Sequence, residues 1–338
     1  MDDIAAFIRR LPKAELHLHL EGTITPATLA ELSQRHDHQP LTLAEAEALY
    51  QFTDFSGFLE AFKAVTNRLL TPEDYELAAW RMAQRLAGQG VVHAEVFISV
   101  GVIYVWRNHD PACFEPIFAG LEKARLRAEN ELGLSLYWIF DAVRHFTVEE
   151  AARVFRKAAA MRPEYPSIIG IGLGGDERRC RSEPFRELYA DAKAAGLRLT
   201  NHAGETTPPQ AIREALDIGS ERIGHALSAI ADSSLIDELR ALRIPLELNP
   251  TSNIRTGVCA SWTDHPLRTY FDAGLLVTIN SDDPAFFGSD LEGEYLLAHR
   301  EHGFTRDELR RLASNSIEAS FLPDSERARW LAQIVSTR

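Results

Sequence analysis

The segment that runs from SIIGIGLG (167–174) through EPFRELYADAKAAG (183–196) to LRLTNHA (197–203) decides the fold. A short, continuously apolar run is followed by a longer run with helical spacing, and then by a second apolar run. This order predicts two parallel strands joined by a helix, because parallel neighbours need a long crossover connection. The remaining predicted strands are AELHLHL (14–20), VVHAEVFI (91–98), LSLYWIF (134–140), RIGHA (222–226), IPLELN (244–249) and LLVTINS (275–281).

Eight alternations of strand and helix favour an α/β fold that closes into a (β/α)8 TIM barrel. Strands buried on both faces are apolar along their length, as these runs are. The alternative is a doubly wound open sheet, but no GxGxxG turn follows a strand. The interval 23–90 is too long for one crossover and has the pattern of several helices. We predict a single domain over residues 1–338, with 23–90 as a helical, lid-like insertion.

The composition excludes several classes of protein. The chain of 338 residues is 45% hydrophobic and 25% charged, as is typical of a globular protein. With 36 Lys and Arg against 49 Asp and Glu, its net charge of −13 disfavours nucleic acid and anionic membranes as partners. The three cysteines have no paired spacing, and neither a membrane span nor a signal peptide is apparent. We therefore expect a cytoplasmic protein that binds a small molecule; its oligomeric state is left open.

Histidines and a carboxylate follow four of the predicted strands. His17 and His19 lie two apart on the first strand, so their side chains point to the same side. His202 and His225 end the fifth and sixth strands, and Asp282 follows the eighth. Active sites of TIM barrels lie at these C-terminal strand ends. Three histidines and one carboxylate suit Zn²⁺, so we expect one zinc ion per chain with the ligands His17, His19, His202 and Asp282.

Three further residues near this group are candidates for chemistry and binding. Glu205, three residues after His202, could act as a general acid toward a substrate nitrogen. His225 could orient an attacking water or act as its base. Asp282 and Asp283 cannot both point at a metal from one strand, which leaves Asp283 for the substrate. The histidines expected to be solvated and without a role are His36, His38, His109, His265, His299 and His302.

The predicted helix FSGFLEAFKAVTNRLL (55–70) carries an apolar face. Phe55, Phe58, Leu59 and Phe62 recur at three- and four-residue spacing. Such a face is most often part of the core. It is also compatible with a lid over a pocket, since a lid needs an anchored face. Phe55, Phe58 and Phe62 are therefore candidate substrate contacts.

The motifs KAELHLHLEG, NHAGE, RIGHAL, ELNPTSNIRTG and INSDDP together resemble the adenosine deaminase family, in the family's order and from residue 11 to about 320. The resemblance implies a zinc-dependent TIM barrel that hydrolyses the exocyclic amine of a 6-aminopurine, with the four metal ligands given above. It implies that Glu205 protonates purine N1 and that His225 helps to deprotonate and orient the water. It also implies that Asp283 contacts N7 and that the backbone of Gly175, in GLGGDE, contacts N3.

The substrate within this family depends on local differences. The run NPTSNIRTG resembles nucleoside deaminases rather than adenine deaminases. Glu21 stands where the family's aspartate holds the ribose 5′-hydroxyl. The run AEVFISVGVIYVWRN (94–108) predicts an apolar loop in which Tyr104 and Trp106 could stack on an extra aryl group. Candidates to bind the carboxylate of such a group are Arg107, Arg178, Arg179 and Arg181.

Glu21 and this loop resemble the aminodeoxyfutalosine deaminase branch, which acts in menaquinone synthesis. A 5′-modified adenosine is therefore favoured over adenosine itself, which would imply purine salvage, and over adenine. A second kind of barrel hydrolase, specific for amides or esters, often has a carbamylated lysine, but strand four contains no lysine. A binding protein without catalysis has no support, because every predicted catalytic position is occupied.

Overall fold

The computed structural model describes residues 2–52, 55–106 and 113–337. Arg107, His109 and the side chain of Phe55 lie outside the described residues. Eight parallel strands follow one another around one sheet in chain order. They are β1 (Lys13–His19), β2 (Val91–Ile98), β3 (Ser135–Val143), β4 (Ile168–Gly174), β5 (Arg198–Ala203), β6 (Arg222–His225), β7 (Leu246–Leu248) and β8 (Val277–Ile279).

The first and last strands meet, so the sheet closes into a barrel. Leu18 in β1 forms a parallel bridge with Asp282, just after β8. The backbone N–H of His19 donates to Asp282 O at 3.0 Å, and Asp282 N–H donates to His17 O at 3.0 Å. The predicted TIM barrel is confirmed, and the doubly wound open sheet is wrong. Closure also brings residues from the two ends of the chain side by side at the barrel mouth.

Helices connect the strands and surround the barrel. Many begin at a capping residue; at Thr71, for example, the hydroxyl accepts from the Asp74 N–H while the Asp74 carboxylate accepts from the Thr71 N–H. Among the described residues, no helix is both long enough and apolar enough to span a membrane. The helices are α1 (Asp2–Arg10), α2 (Pro26–His36), α3 (Leu43–Leu49), α4 (Phe55–Thr66), α5 (Pro72–Gly88), α6 (Val100–Trp106), α7 (Phe114–Leu132), α8 (Val148–Met161), α9 (Arg186–Ala194), α10 (Gln210–Asp217), α11 (Ser233–Leu242), α12 (Pro250–Arg255), α13 (Leu267–Asp272), α14 (Pro284–Phe287), α15 (Leu291–His302), α16 (Arg306–Ala319) and α17 (Asp324–Ser336).

The interval 23–90 contains the expected helices, α2 to α5. Helix α5 packs against α7 and β2, so it covers the outside of the barrel in the first crossover. Helix α4 instead contacts the 3-10 turn Glu21–Thr23 that follows β1, near the mouth. Its Phe58 ring stacks on Phe287 of α14, with 5.3 Å between centroids. Helix α4 is thus anchored beside the strand ends; its action as a lid stays a prediction.

The segment after β2 differs from its prediction. It forms the helix α6 rather than a loop. The residues from Val100 to Tyr104 are all buried, so the helix is packed on more than one side. The Tyr104 ring packs edge-on against Phe114, 6.1 Å between centroids, so the expectation that it stacks on a ligand is wrong. Trp106 is 38% exposed.

Candidate metal centre and active site

Four polar side chains meet at the C-terminal end of the barrel. His17 and His19 come from β1, His202 comes from β5, and Asp282 follows β8. His19 Nε2 lies 3.3 Å from His202 Nε2 and 3.4 Å from Asp282 Oδ1. His17 Nε2 lies 3.5 Å from the same Oδ1. The structure thus brings together the four side chains proposed as metal ligands.

These separations fit a tetrahedral metal ion. Ligand atoms about 2.0–2.2 Å from zinc, at the corners of a tetrahedron, lie roughly 3.3–3.6 Å from one another. His17 Nε2 is buried and has no hydrogen-bond partner among the described residues. The Nε2 atoms of His19 and His202 face each other, so their lone pairs repel unless a cation or a proton lies between them. The donor set therefore fits a bound metal ion.

Two neighbouring side chains orient this group. The Nδ1 of His17 lies 2.7 Å from Glu247 Oε2, and Ser252 Oγ donates to Asp282 Oδ2 at 2.6 Å. Metal-binding histidines usually donate their second N–H to such a carboxylate. No role is predicted for Glu247 or Ser252 from the sequence. Both lie in the motif ELNPTSNIRTG, which supports the family resemblance but from which neither residue was singled out.

Glu205 lies just beyond β5, with its carboxyl group at the mouth. The N–H groups of Gly204 and Glu205 donate to the Glu177 carboxylate at 2.8 and 3.0 Å, which fixes the turn that carries Glu205. Burial, with the negative charges of Asp282 and Glu177, raises the pKa of Glu205 to about 8. A raised pKa favours the protonated carboxyl group, which is the form able to donate a proton.

His225 ends β6 beside the four polar side chains. Its Nε2 lies 4.0 Å from Asp282 Oδ2, and its Nδ1 lies 3.8 Å from Glu205 Oε1. Both His225 and Asp282 have a φ of 63°, a left-handed backbone that is uncommon outside glycine. Such strained residues cluster at functional sites. The side chains of both residues lie among the proposed ligands.

Asp283 packs beneath the 3-10 turn that follows β1. A Cβ atom on Gly22 would lie 2.1 Å from Asp283 Oδ1, so only glycine leaves room for this carboxyl group. Asp283 Oδ1 is buried and has no partner among the described residues. Burial, with the adjacent charge of Asp282, raises the pKa of Asp283 well above its usual range. A buried oxygen without a partner is suited to meeting a polar ligand atom.

Glu21, in the 3-10 turn that follows β1, is one of the residues that line a side cavity. Its carboxylate accepts from Ser99 N at 3.1 Å and from Ser99 Oγ at 3.2 Å, and burial raises the pKa of Glu21 to about 7. The cavity has a volume of about 200 Å³. The other residues that line it are Thr66, Asn67, Leu70, Tyr75, Val102, Ile103 and Trp106.

The remaining predicted contacts lie in two other places. Gly175, with a φ of 87°, lines a larger cavity of about 640 Å³ together with Glu205 and Arg178. Phe58 and Phe62 lie in an aromatic cluster with Phe286, away from the linings of both cavities. Arg181 forms an ion pair with Glu214 and lines neither of these cavities.

Two buried polar residues, one on β3 and one in the loop before α13, were missed from the sequence. Asp141 points into the barrel, and burial raises its pKa to about 8. It was missed because β3 was predicted to end at Phe140, whereas the strand continues to Val143. His265 was expected to be solvated, and this is wrong: it is 3% exposed and contacts Asn253.

Comparisons with known proteins point to one family. Residues 12–337 match the family described as adenosine deaminase. An aminodeoxyfutalosine deaminase from Streptomyces avermitilis is 41% identical over 335 residues, covering 98% of this chain and 92% of the relative. An adenine deaminase from Streptomyces coelicolor is 39% identical over 334 residues, covering 97% and 96%. An amidohydrolase from Burkholderia ambifaria, solved with bound zinc, is similar in structure with a TM-score of 0.90 and 27% identity, covering 98% and 92%.

Proposed function

The chain belongs to the adenosine deaminase family of hydrolytic deaminases that act on C–N bonds, and we propose that its substrate is a 6-aminopurine nucleoside extended at the 5′ carbon. Aminodeoxyfutalosine, the substrate in the name of the relative from Streptomyces avermitilis, is the candidate of this kind. The products are ammonia and the 6-oxopurine nucleoside. In this role the protein would act in menaquinone synthesis.

The metal of this proposal is zinc, with the ligands His17, His19, His202 and Asp282. The donor set of three imidazoles and one carboxylate supports zinc, and a structural neighbour was solved with that metal. When bound, zinc lowers the pKa of a coordinated water toward ~7 and so supplies a nucleophile at neutral pH.

The protein's own residues supply the remaining chemistry. Water attack at C6 places negative charge on the purine ring, and the proton of Glu205 is delivered to N1 as that charge develops. His225 faces the attacking oxygen. Asp283, with its unpartnered Oδ1, contacts N7, and the backbone of Gly175 contacts N3. One proton of the attacking water returns Glu205 to its acid form, and the other passes from the new C6 hydroxyl to the amino nitrogen. Ammonia then leaves, and the C6 carbonyl group of the product remains.

The cavity beside Glu21 is the observation that carries the 5′-extended substrate. A cavity of roughly 150 Å³ is large enough for benzene, so about 200 Å³ accommodates one substituted aryl ring. Val102, Ile103 and Trp106 provide an apolar lining, and Glu21, which follows β1, lines the same space. The cavity supports α6 as the element that binds the extra group, although Tyr104 faces the core instead.

Adenine is the second candidate substrate, because a relative of that name is 39% identical over nearly the whole chain. Zinc-loaded protein should be assayed in parallel on aminodeoxyfutalosine, methylthioadenosine, adenosine and adenine, through the ultraviolet change on deamination. We expect aminodeoxyfutalosine to have the highest kcat/KM by at least about tenfold, which corresponds to 1.4 kcal/mol. A preference for adenine would contradict the nucleoside assignment, and a preference for adenosine would contradict the 5′ extension.

A variant at Glu21 tests the same point from the protein side. Glu21→Asp shortens this side chain by one methylene and leaves room for a 5′-hydroxyl. The kcat/KM for adenosine should therefore rise relative to that for aminodeoxyfutalosine. Thr25→Ser, a similar small change on the same loop outside the cavity lining, is the matched control. Unchanged relative kcat/KM in Glu21→Asp would remove Glu21 from the residues that select the substrate.

A further inference from the structure

Which nitrogen of His225 carries a proton decides what this residue can do. Two overlapping groups of side chains are spaced to hold a metal: His17 with His19 and His202, and His17 with His225 and Asp282. The second group requires a free lone pair on His225 Nε2. The same lone pair is required if His225 is to take a proton from the attacking water. The contacts on the other side of the ring settle its tautomer.

The relevant chain of hydrogen bonds begins at a backbone amide, which is always a donor. Leu267 N donates to His265 Nδ1 at 3.2 Å, so that nitrogen has no proton. His265 is 3% exposed, and its burial lowers its pKa to about 3, which keeps the ring neutral. A neutral imidazole has one proton, and in His265 it therefore lies on Nε2.

The next contact fixes the orientation of an amide. His265 Nε2 lies 3.3 Å from Asn253 Oδ1, so the amide oxygen accepts there and the amide nitrogen faces the opposite way. Asn253 Nδ2 lies 3.0 Å from His225 Nδ1 and donates to it. Asn249 Nδ2 lies 3.3 Å from the same nitrogen. Two donors thus meet Nδ1 of His225, which must be an acceptor.

We propose that Asn253 and His265 are positioning residues that hold His225 as the neutral tautomer with its proton on Nε2. In this form Nε2–H points toward Asp282 and the attacking water, and donates a hydrogen bond to the water oxygen. His225 then keeps its own proton, orients the nucleophile and does not ligate the metal. This selects His17, His19, His202 and Asp282 as the ligand set. The catalytic part of this inference rests on the proposed function, whereas the tautomer does not.

The tautomer is measured directly by NMR. Zinc-loaded full-length protein with ¹⁵N-labelled histidine gives long-range ¹H–¹⁵N correlations that distinguish a protonated from an unprotonated ring nitrogen. The His225 signal is identified by its loss in His225→Gln. We expect Nε2 protonated and Nδ1 unprotonated. A wild-type spectrum with the proton on Nδ1, or on both nitrogens, would overturn the proposal.

A substitution at Asn253 should move the proton. Asn253→Asp keeps the size of the side chain, but an ionised carboxylate can only accept, so it favours Nδ1–H on His225. We expect the NMR pattern to reverse and kcat to fall on the order of 10²–10³-fold, as for removal of one donor to the reacting oxygen, with little change in KM. An unreversed pattern with normal kcat would contradict the role of Asn253.

A pair of substitutions at His265 keeps the test independent of whether Asn253→Asp folds. His265→Gln can still accept from Leu267 and donate to Asn253, so it should preserve the tautomer and kcat. His265→Phe keeps the ring volume without the donor, and should give two His225 forms and a roughly tenfold lower kcat. His302→Phe is the control, because its ring lies 6.5 Å from His265 outside this chain of hydrogen bonds. Equal behaviour of all three variants would remove His265 from the proposal.

The two proposals fail in different ways. If no aminopurine is deaminated, the proposed function fails while the NMR pattern of wild-type protein still reports the tautomer. If deamination is normal but His225 carries its proton on Nδ1, only the inference about Asn253 and His265 fails.

Discussion

At the scale of single residues, the two ring nitrogens of His17 have different partners. Nδ1 is taken by Glu247 at 2.7 Å, so Nε2 is left to face the other proposed ligands. Replacement of His17 by alanine should remove a ligand that this contact holds in place. We expect zinc affinity to fall by at least 10²-fold and activity with it, measured as zinc content after dialysis against a weak chelator.

His299→Ala is the control for that experiment, since His299 is a partly buried histidine on α15 that contacts the Phe304 carbonyl oxygen instead. Loss of zinc from both variants would indicate a general loss of structure. Retained zinc in His17→Ala would remove His17 from the ligand set.

Glu205 is expected to act by donating a proton and not by binding the metal. Glu205→Gln keeps the shape of the side chain without the acidic proton, so the fold and the zinc content should stay while kcat falls on the order of 10²–10⁴-fold. Zinc content, thermal melting and kcat measured on one preparation separate these effects. Near-normal turnover would contradict the assignment of Glu205 as the acid.

Glu294 gives a prediction about stability and pH. Burial raises its pKa to about 8, although Thr251 N donates to its carboxylate at 3.3 Å. The folded protein keeps this proton up to pH 8, whereas the unfolded chain releases it near 4.5, so this group makes the folded state less stable as pH rises through that window. Glu294→Gln should therefore gain stability relative to wild type between about pH 5 and 8, by at least roughly 1 kcal/mol.

Urea unfolding at several pH values measures this difference. Glu301→Gln, an exposed carboxylate at the end of the same helix, is the control and should show no such trend. A constant difference between Glu294→Gln and wild type across the window would show that Glu294 is ionised in the folded protein.

At the scale of elements, an aromatic cluster joins α4 to α14. Phe58 stacks on Phe287 at 5.3 Å and meets Phe286 edge-on at 5.5 Å, and α14 begins directly after Asp282 and Asp283. The anchoring of α4 is thus coupled through packing to the segment that carries two proposed site residues. Leu59, predicted on the same face, is 48% exposed and takes no part.

Removal of the Phe58 ring should weaken this connection. We expect Phe58→Ala to lower the free energy of unfolding by about 3 kcal/mol, through lost burial and the cavity that it leaves. Leu59→Ala is the matched control and should change it by no more than about 0.5 kcal/mol. Urea unfolding compares the two. Equal effects would show that the cluster does not anchor α4.

At the scale of the whole molecule, a buried ion network fills the barrel beneath the metal site. Arg222 is fully buried, with Nη1 2.5 Å from Glu95 and Nε 2.6 Å from Glu247. Glu247 in turn contacts His17. The network joins β2, β6, β7 and β1, so the interior of the barrel supports the site at its mouth.

Removal of the Arg222 guanidinium should lower both the stability of the protein and its affinity for zinc. Arg222→Met leaves two carboxylates buried without a counter-charge, so we expect a loss of about 3–5 kcal/mol of stability and weaker zinc binding. Arg198 also lies over the Phe321 ring and is 44% exposed, so Arg198→Met is the control, with an expected change under about 1 kcal/mol. Similar losses of stability in Arg222→Met and Arg198→Met would show that the effect comes from the contact with Phe321 and not from the buried carboxylates.

Metal binding should also stabilise the whole barrel, because the proposed ligands come from both ends of the chain. The proposed ligands lie on β1, on β5 and in the segment after β8, a geometry that unfolding destroys. Zinc at 100 times its Kd should add about 2.7 kcal/mol. Thermal melting with and without a chelator measures this, and an unchanged Tm would contradict a site that spans the barrel.

The sequence by itself determined the barrel and the proposed ligand positions. Strand periodicity is local, and residues at the ends of parallel strands must share one edge, so His17, His19, His202 and Asp282 were predicted together without coordinates. The same reasoning failed at Tyr104, where an apolar run was interpreted as a loop. A turn of helix and a loop with that composition differ only in what they pack against.

Only the tertiary structure decided which buried polar groups support the site. Glu247, Asn253 and His265 are distant in sequence from the residues they orient. The segments that contain them have the composition of an ordinary loop or strand. Their roles arise from hydrogen bonds that form when the barrel closes and excludes water, because a buried donor or acceptor must then find a protein partner. Periodicity predicts where a side chain points, but the identity of its partner depends on the closed, desolvated interior.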